Sequence, residues 1–264
     1  MKKLLASLVC VFAIAVQCFA ATWNPANRVS TVGANLLKKN NIPTEITFKV
    51  VNGASDNTEV ATTKVIQISD IDLASAGNDN EVAAVIAHEL GHIVCNHTDK
   101  NKVRKVALDK LGVDEASTAA MFASSQMSAK DEEEADLVGV DLMINANYNP
   151  LAMVVLVTKY TGSSMDVLMG RPNNADRAMD VFDYLTYKYP EKVKAGYACN
   201  EYRYFLTYAN PIVEKRNKDK KALAKFNKTQ AKNLNTRAKN LAKYKATGGL
   251  NAWGMLYDSL IEEK

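Results

Sequence analysis

Apolar and polar positions alternate in two short stretches early in the chain, and then give way to helical spacing. Ile46-Thr47-Phe48-Lys49-Val50-Val51 alternates and is rich in β-branched residues, and Lys64 to Ser69 repeats the pattern, so both read as strands. Asn52 to Asn57, between them, is turn-like. The loop Ala76 to Asn80 can supply an N-cap for a helix from about Glu81 to His97. Val82 to Ala87 and Ile93-Val94 make that helix apolar nearly all round, which predicts burial. Further helices are expected around Lys102 to Leu111, Ser128 to Asn145, Leu151 to Tyr160 and Arg177 to Tyr189, with a loop from Gly162 to Asp176. Ser128-Ala129-Lys130-Asp131 has the form of a capping box. Asn147 suits the left-handed position after a helix, and Pro150 suits the first turn of the next one.

The pattern changes again in the tail. Between Ile212 and Lys245 there are twelve Lys and Arg against two acids, with Leu223, Phe226, Leu234, Leu241 and Tyr244 spaced loosely as one helical stripe. This reads either as a solvated helix or hairpin packing one thin face on the body, or as a basic arm for an anionic surface such as lipid head groups or cell-wall polymers. At the other end, Lys2-Lys3, the apolar run Leu4 to Val16 and Cys18-Phe19-Ala20 have the layout of a secretory signal peptide cleaved near Ala20. The run is short for a bilayer span. A lipoprotein signal would want a small residue where Gln17 stands. The organisation read from these shifts is a signal peptide at 1–20, a main domain at 21–195 and a basic helical extension at 196–264.

Composition adds little beyond this. With 264 residues and 47% apolar side chains the chain is globular, and a net charge of +4 is too mild to argue for nucleic acid. Removal of the leader leaves Cys95 and Cys199, which in an oxidising compartment would either pair or stand as separate thiols.

Residues 88–92 read His-Glu-Leu-Gly-His. Residues four apart share a helix face, so His88 and His92 can aim two imidazoles at one ion. Glu89, on the flank of that face, can reach a water on the ion. Nitrogen ligands, an open water position and a carboxylate base are what zinc hydrolysis needs. Two histidines and a glutamate on a buried helix would also carry a large desolvation cost without such a partner. Gly91 inside a helix costs about 1 kcal/mol against Ala, so a close approach by another segment or by substrate is expected there. His97 is the one other histidine. On an unbroken helix it lies about 140° round from His92, a poor ligand position. The third ligand should then be a carboxylate from Asp131-Glu132-Glu133-Glu134-Ala135-Asp136. Glu132 and Asp136 share a face with Val140 and Met143, so one could bind metal while the other receives an imidazole N–H. Glu133 and Glu134 fit simple dipole matching at a helix start and are expected to face water.

The motif, the strands before it and the acidic helix after it together resemble the HtpX-like and CAAX-prenyl-protease-like zinc metallopeptidases, over about Ile42 to Tyr189. That family pairs His-Glu-x-x-His with Glu-x-x-x-Asp, here Glu132 to Asp136. The resemblance implies one zinc per chain, on His88, His92 and Glu132, with Glu89 as general base and Asp136 bonded to a ligating histidine. It also implies an α+β, zincin-like fold, mostly helical with a small sheet, to which the tail adds a helical extension. One departure stands out. Relatives often carry His-Pro five residues before an Arg; here Pro172 and Arg177 keep the pattern but Arg171 replaces the His. Arginine cannot ligate zinc, so Arg171 is either a steadying group for the oxyanion of a tetrahedral intermediate or a surface residue of the loop.

The activity expected is hydrolysis of peptide bonds in exported or envelope proteins by a periplasmic or secreted enzyme. Extended or unfolded substrate would add as a strand along Lys64 to Ser69. The alternative is a weak or latent relative that keeps the zinc and binds unfolded or envelope proteins as a chaperone or assembly factor.

Overall fold

The computed structural model describes residues 23–43, 45–53, 55, 57, 60–97, 129–160, 171, 174–246 and 254–261. The leader, the helix expected at 102–111, Ser128, Pro172 and most of the 162–176 loop lie outside these residues. The chain forms a mostly helical, zincin-like α+β fold. Its two strands, β1 (Thr47–Val51) and β2 (Val65–Ser69), pair in parallel with Thr47 opposite Val65 and Val51 opposite Ser69. Before the sheet comes helix α1 (Val29–Lys39). The short α2 (Val60–Thr63) lies in the crossover that parallel pairing requires, and α3 (Asp70–Ala74) follows β2 directly. Ile66 and Ile68 point inward at 0% exposure, as the alternation predicts.

The core is organised around α4 (Asp79–Val94), against which α1, α5 (Ala129–Asn145) and α6 (Leu151–Lys159) pack. The Asn78 side chain caps α4 by accepting from the backbone N–H of Asn80 and Glu81. Glu81 then accepts from the Gly77 N–H, Asn78 Nδ2 and Lys159 Nζ, which satisfies its buried carboxylate. Two glycines let α4 and α5 touch backbone to backbone. A Cβ on Gly91 would lie 2.3 Å from the Ala135 carbonyl oxygen, and one on Gly139 would lie 3.0 Å from that of Ala87. The expected reason for Gly91 is therefore a neighbouring helix. α5 closes as anticipated: Asn147 has φ +62°, the Tyr148 N–H bonds the Met143 carbonyl and the Asn147 N–H bonds that of Ile144. Leu151 to Val157 of α6 are all buried.

Helix α7 (Ala175–Lys188) crosses α5 and α6. The short α8 (Pro190–Ala195) leads into α9 (Asn200–Lys218), α10 (Lys220–Ala246) and α11 (Gly254–Ile261). α10 buries Leu241 and half-buries Leu223, Phe226, Leu234 and Tyr244, so the thin stripe faces the body while the lysines face water. Cys95 and Cys199 are separate thiols rather than a disulfide. Among the described residues no helix is long and apolar enough to cross a membrane.

Candidate metal centre

Burial fixes most of the geometry here, because α4 is apolar on every side and its polar residues must find partners inside the fold. His88 and His92 are 6% and 4% exposed. Their Nε2 atoms lie 3.0 Å apart, and the carboxylate of Glu132 meets them at 3.6 and 3.5 Å. Tetrahedral ligands at 2.0–2.1 Å from zinc sit about 3.3 Å from one another, so this spacing suits one ion between the three groups. Glu132 is the most open of them, with 23% of its side chain exposed.

Behind the three groups lies an ionic frame. Asp136, fully buried, accepts from His88 Nδ1 at 2.8 Å, and Arg177 donates to Asp136 through Nη2 at 2.8 Å. Arg177 Nη1 also reaches Glu132 at 3.0 Å. Burial alone would raise the Asp136 carboxyl, but the charge and hydrogen bonds of Arg177, with His88, hold it below its usual range. Burial likewise disfavours the His88 cation, yet Asp136 outweighs it and raises that pKa. His92 is pulled well below the ordinary value by burial, then by His88, His97 and Arg177. A neutral His92 is the form that can offer a nitrogen lone pair.

Glu89 is held by Asn57 Nδ2 at 2.8 Å and Ser55 Oγ at 3.2 Å. Burial raises its pKa, with Asp72 adding to the rise and His88, Asn57 and Ser55 opposing it. The same Asn57 side chain donates to the Gln67 carbonyl at 3.1 Å and accepts from the Gln67 N–H at 2.8 Å. The main-chain groups of β2 at which substrate is expected to pair are thus held by a side chain that also grips Glu89.

Arg171 ion-pairs with Asp176 and donates to the Tyr208 hydroxyl at 3.1 Å, over whose ring it lies. Arg177, six residues on, is the arginine that reaches the cluster; its signal in the sequence is the spacing from Pro172. Two expectations fail. α4 ends at Val94, with Cys95 as its cap and Asn96 in the left-handed region at φ +58°. His97 therefore swings back instead of continuing round the helix, and its Nδ1 lies 3.0 Å from His92 Nδ1. Glu134, expected in water, instead accepts from Asn240 Nδ2 and lies 3.2 Å from His97 Nε2. No sequence pattern marks Ser55 or Asn57, which sit in a turn whose path only the fold defines.

Comparison with known proteins agrees with this chemistry. A model of peptidase family M48 matches residues 24–219. Metalloprotease LoiP of Escherichia coli (strain K12) is 26% identical over 190 residues, covering 63% of this chain and 75% of LoiP. No solved structure matches the chain.

Proposed function

The chain belongs to peptidase family M48, and from that premise we propose that it is a zinc-dependent endopeptidase acting on extended or unfolded polypeptides in an exported compartment. One observation carries the reading: His88 Nε2, His92 Nε2 and the Glu132 carboxylate converge at zinc-ligand spacing beside a buried carboxylate, Glu89. A zinc ion on these three groups would supply Lewis acidity, acidifying a water and polarising the scissile carbonyl. Glu89, beside these groups, would accept the proton of the attacking water and return it to the leaving amine. Burial raises its pKa in the metal-free fold, and Asn57 and Ser55 aim it. Asp136 holds the His88 ring through Nδ1, and Arg177 balances the two carboxylates it touches. The reading of an exported enzyme is supported by the layout of residues 1–20.

The test is bound zinc and casein cleavage measured together for the mature chain and for Glu89→Gln. One zinc per chain in both, with cleavage only in the parent, is the expected result. No zinc in either would overturn the reading. Zinc in both and cleavage in neither would favour the second reading, a latent enzyme or substrate-binding assembly factor. The observation on that side is Asn57, which holds both the Gln67 main chain and the base. Substrate pairing at Gln67 requires those bonds to open, so Asn57→Ala should lower KM if they limit binding, while kcat falls because Glu89 loses a group that aims it.

A further inference from the structure

We propose that His97, backed by Glu134, is a positioning residue that fixes the tautomer in which His92 presents Nε2 to the metal. This rests on the zinc-site reading above. A neutral imidazole that offers its Nε2 lone pair to an ion carries its proton on Nδ1. For His88 that proton meets the carboxylate of Asp136. For His92 the atom facing Nδ1 is another ring nitrogen, Nδ1 of His97, at 3.0 Å. Where the two atoms do not share an ion, as the Nε2 atoms of His88 and His92 would, a nitrogen-to-nitrogen contact of that length needs one donor and one acceptor. His92 must donate, so His97 must accept.

A neutral His97 that accepts at Nδ1 carries its own proton on Nε2. That atom lies 3.2 Å from a Glu134 oxygen and 3.3 Å from an Asp131 oxygen, so the proton has an acceptor where the tautomer requires one. The other Glu134 oxygen accepts from Asn240 of α10. One proton arrangement thus satisfies every step from α10 to His92. Burial makes the arrangement consequential: His97 is 1% exposed, and the left-handed turn at Asn96 delivers it there. The two ligand histidines are supported by different chemistry, one by a carboxylate directly and the other by an imidazole with a carboxylate behind it.

Cys95, His97 and Glu134 also lie close enough together to suggest a second ion. Proton counting sets that use against the first. An ion on His97 Nε2 would leave a neutral His97 with its proton on Nδ1, pointing at His92. His92 would then have to accept at Nδ1 and carry its proton on Nε2, the atom that faces Glu132. Two neutral imidazoles cannot serve both ions.

The experiment is zinc stoichiometry by elemental analysis and zinc affinity by competition with a chromophoric chelator. It uses the full mature chain, His97→Leu, His97→Asn and Glu134→Ala, with the melting midpoint of each metal-free protein as a folding control. His97→Leu removes the acceptor and should weaken zinc about 10–100-fold, the usual size of effect for a residue holding a ligand histidine. His97→Asn places an amide oxygen near the former Nδ1 and should restore most of that loss, which a purely structural role would not predict. Glu134→Ala should show a smaller loss in the same direction, and it decides the matter should His97→Leu fail to fold. One zinc per chain with unchanged affinity in His97→Leu would overturn this proposal alone. Two zinc ions in the parent, with one lost in His97→Leu, would overturn it in favour of a second metal site. No zinc in the parent would overturn it together with the reading it rests on.

Discussion

Asp136 and Asp141 stand little more than one turn apart on α5. Both are buried, at 0% and 5% exposure, and each faces an arginine from another helix. Their remaining partners differ. Asp136 reaches His88 Nδ1, and its arginine goes on to Glu132, so the pair ends at the candidate ion site. Asp141 accepts from the hydroxyls of Tyr184 at 2.6 Å and Tyr189 at 2.7 Å, while Arg237 of α10 lies over the Tyr184 ring and donates to its oxygen. That network joins α5 to α7 and α10, with Lys188 Nζ 3.4 Å from the same carboxylate. The same ion pair is thus used once to orient a reactive group and once to dock a helix. The third partner decides which, and burial and charge alone would not distinguish the two.

The sharpest way to break the comparison is Arg237→Met. It leaves the buried Asp141 with the part-exposed Lys188, 3.4 Å away, in place of its guanidinium, so the cost should approach only the low end of the about 3–5 kcal/mol that breaking a buried pair carries. Urea unfolding of the metal-free protein should show a loss of that size, and a loss below about 1 kcal/mol would mean that water already screens the pair. The site counterpart, Asp136→Asn, should act on function first. Arg177 keeps Glu132 as a partner, while His88 loses the carboxylate that fixes its ring. Zinc affinity should fall about 10–100-fold, or roughly 1.4–2.7 kcal/mol. Equal losses of stability in the two variants would erase the distinction drawn between them. A finer test adds Asp141→Asn to Arg237→Met. The amide oxygen still accepts from the tyrosines but removes the stranded charge, so the double variant should recover about 1–2 kcal/mol, within the range of coupling inside one network.

Much of the fold and most of the metal cluster are legible in the amino-acid sequence. The two strands, the buried helix and the Glu132–Asp136 face are local patterns, and local patterns survive folding when nothing opposes them. Gly91 announces a close approach without naming Ala135. The failures lie where a single backbone angle or a distant segment decides. Helical periodicity cannot show that Asn96 turns left-handed and returns His97 to His92. Dipole matching accounts for Glu134 so well that nothing in the sequence points to Asn240, 106 positions away. Arg237 is hidden differently. It falls on the stripe of Leu234, Leu241 and Tyr244, but in a run of exposed lysines its charge reads as one more solvated cation until the fold brings Asp141 beneath it.

A third carboxylate setting yields the smallest effect. Asp180 on α7 is partly exposed and crowded by other acids. Its pKa is pushed from 3.8 up to about 7, by burial first and then by Glu133, Asp183 and Asp176. Between those two values the folded chain holds a proton that the unfolded chain has released. Stability therefore falls as pH rises from about 4 to about 7, and levels off above. Asp180→Asn removes that loss. The variant should match the parent near pH 4 and exceed it at pH 8, by a few tenths of a kcal/mol to about 1 kcal/mol, since water screens a partly exposed group. Melting midpoints at the two pH values check this. A difference that did not grow between pH 4 and pH 8 would mean that Asp180 titrates as an ordinary surface carboxylate. The repulsion from Glu133 would then be too weak to count beside the arginine pairs formed by Asp136 and Asp141.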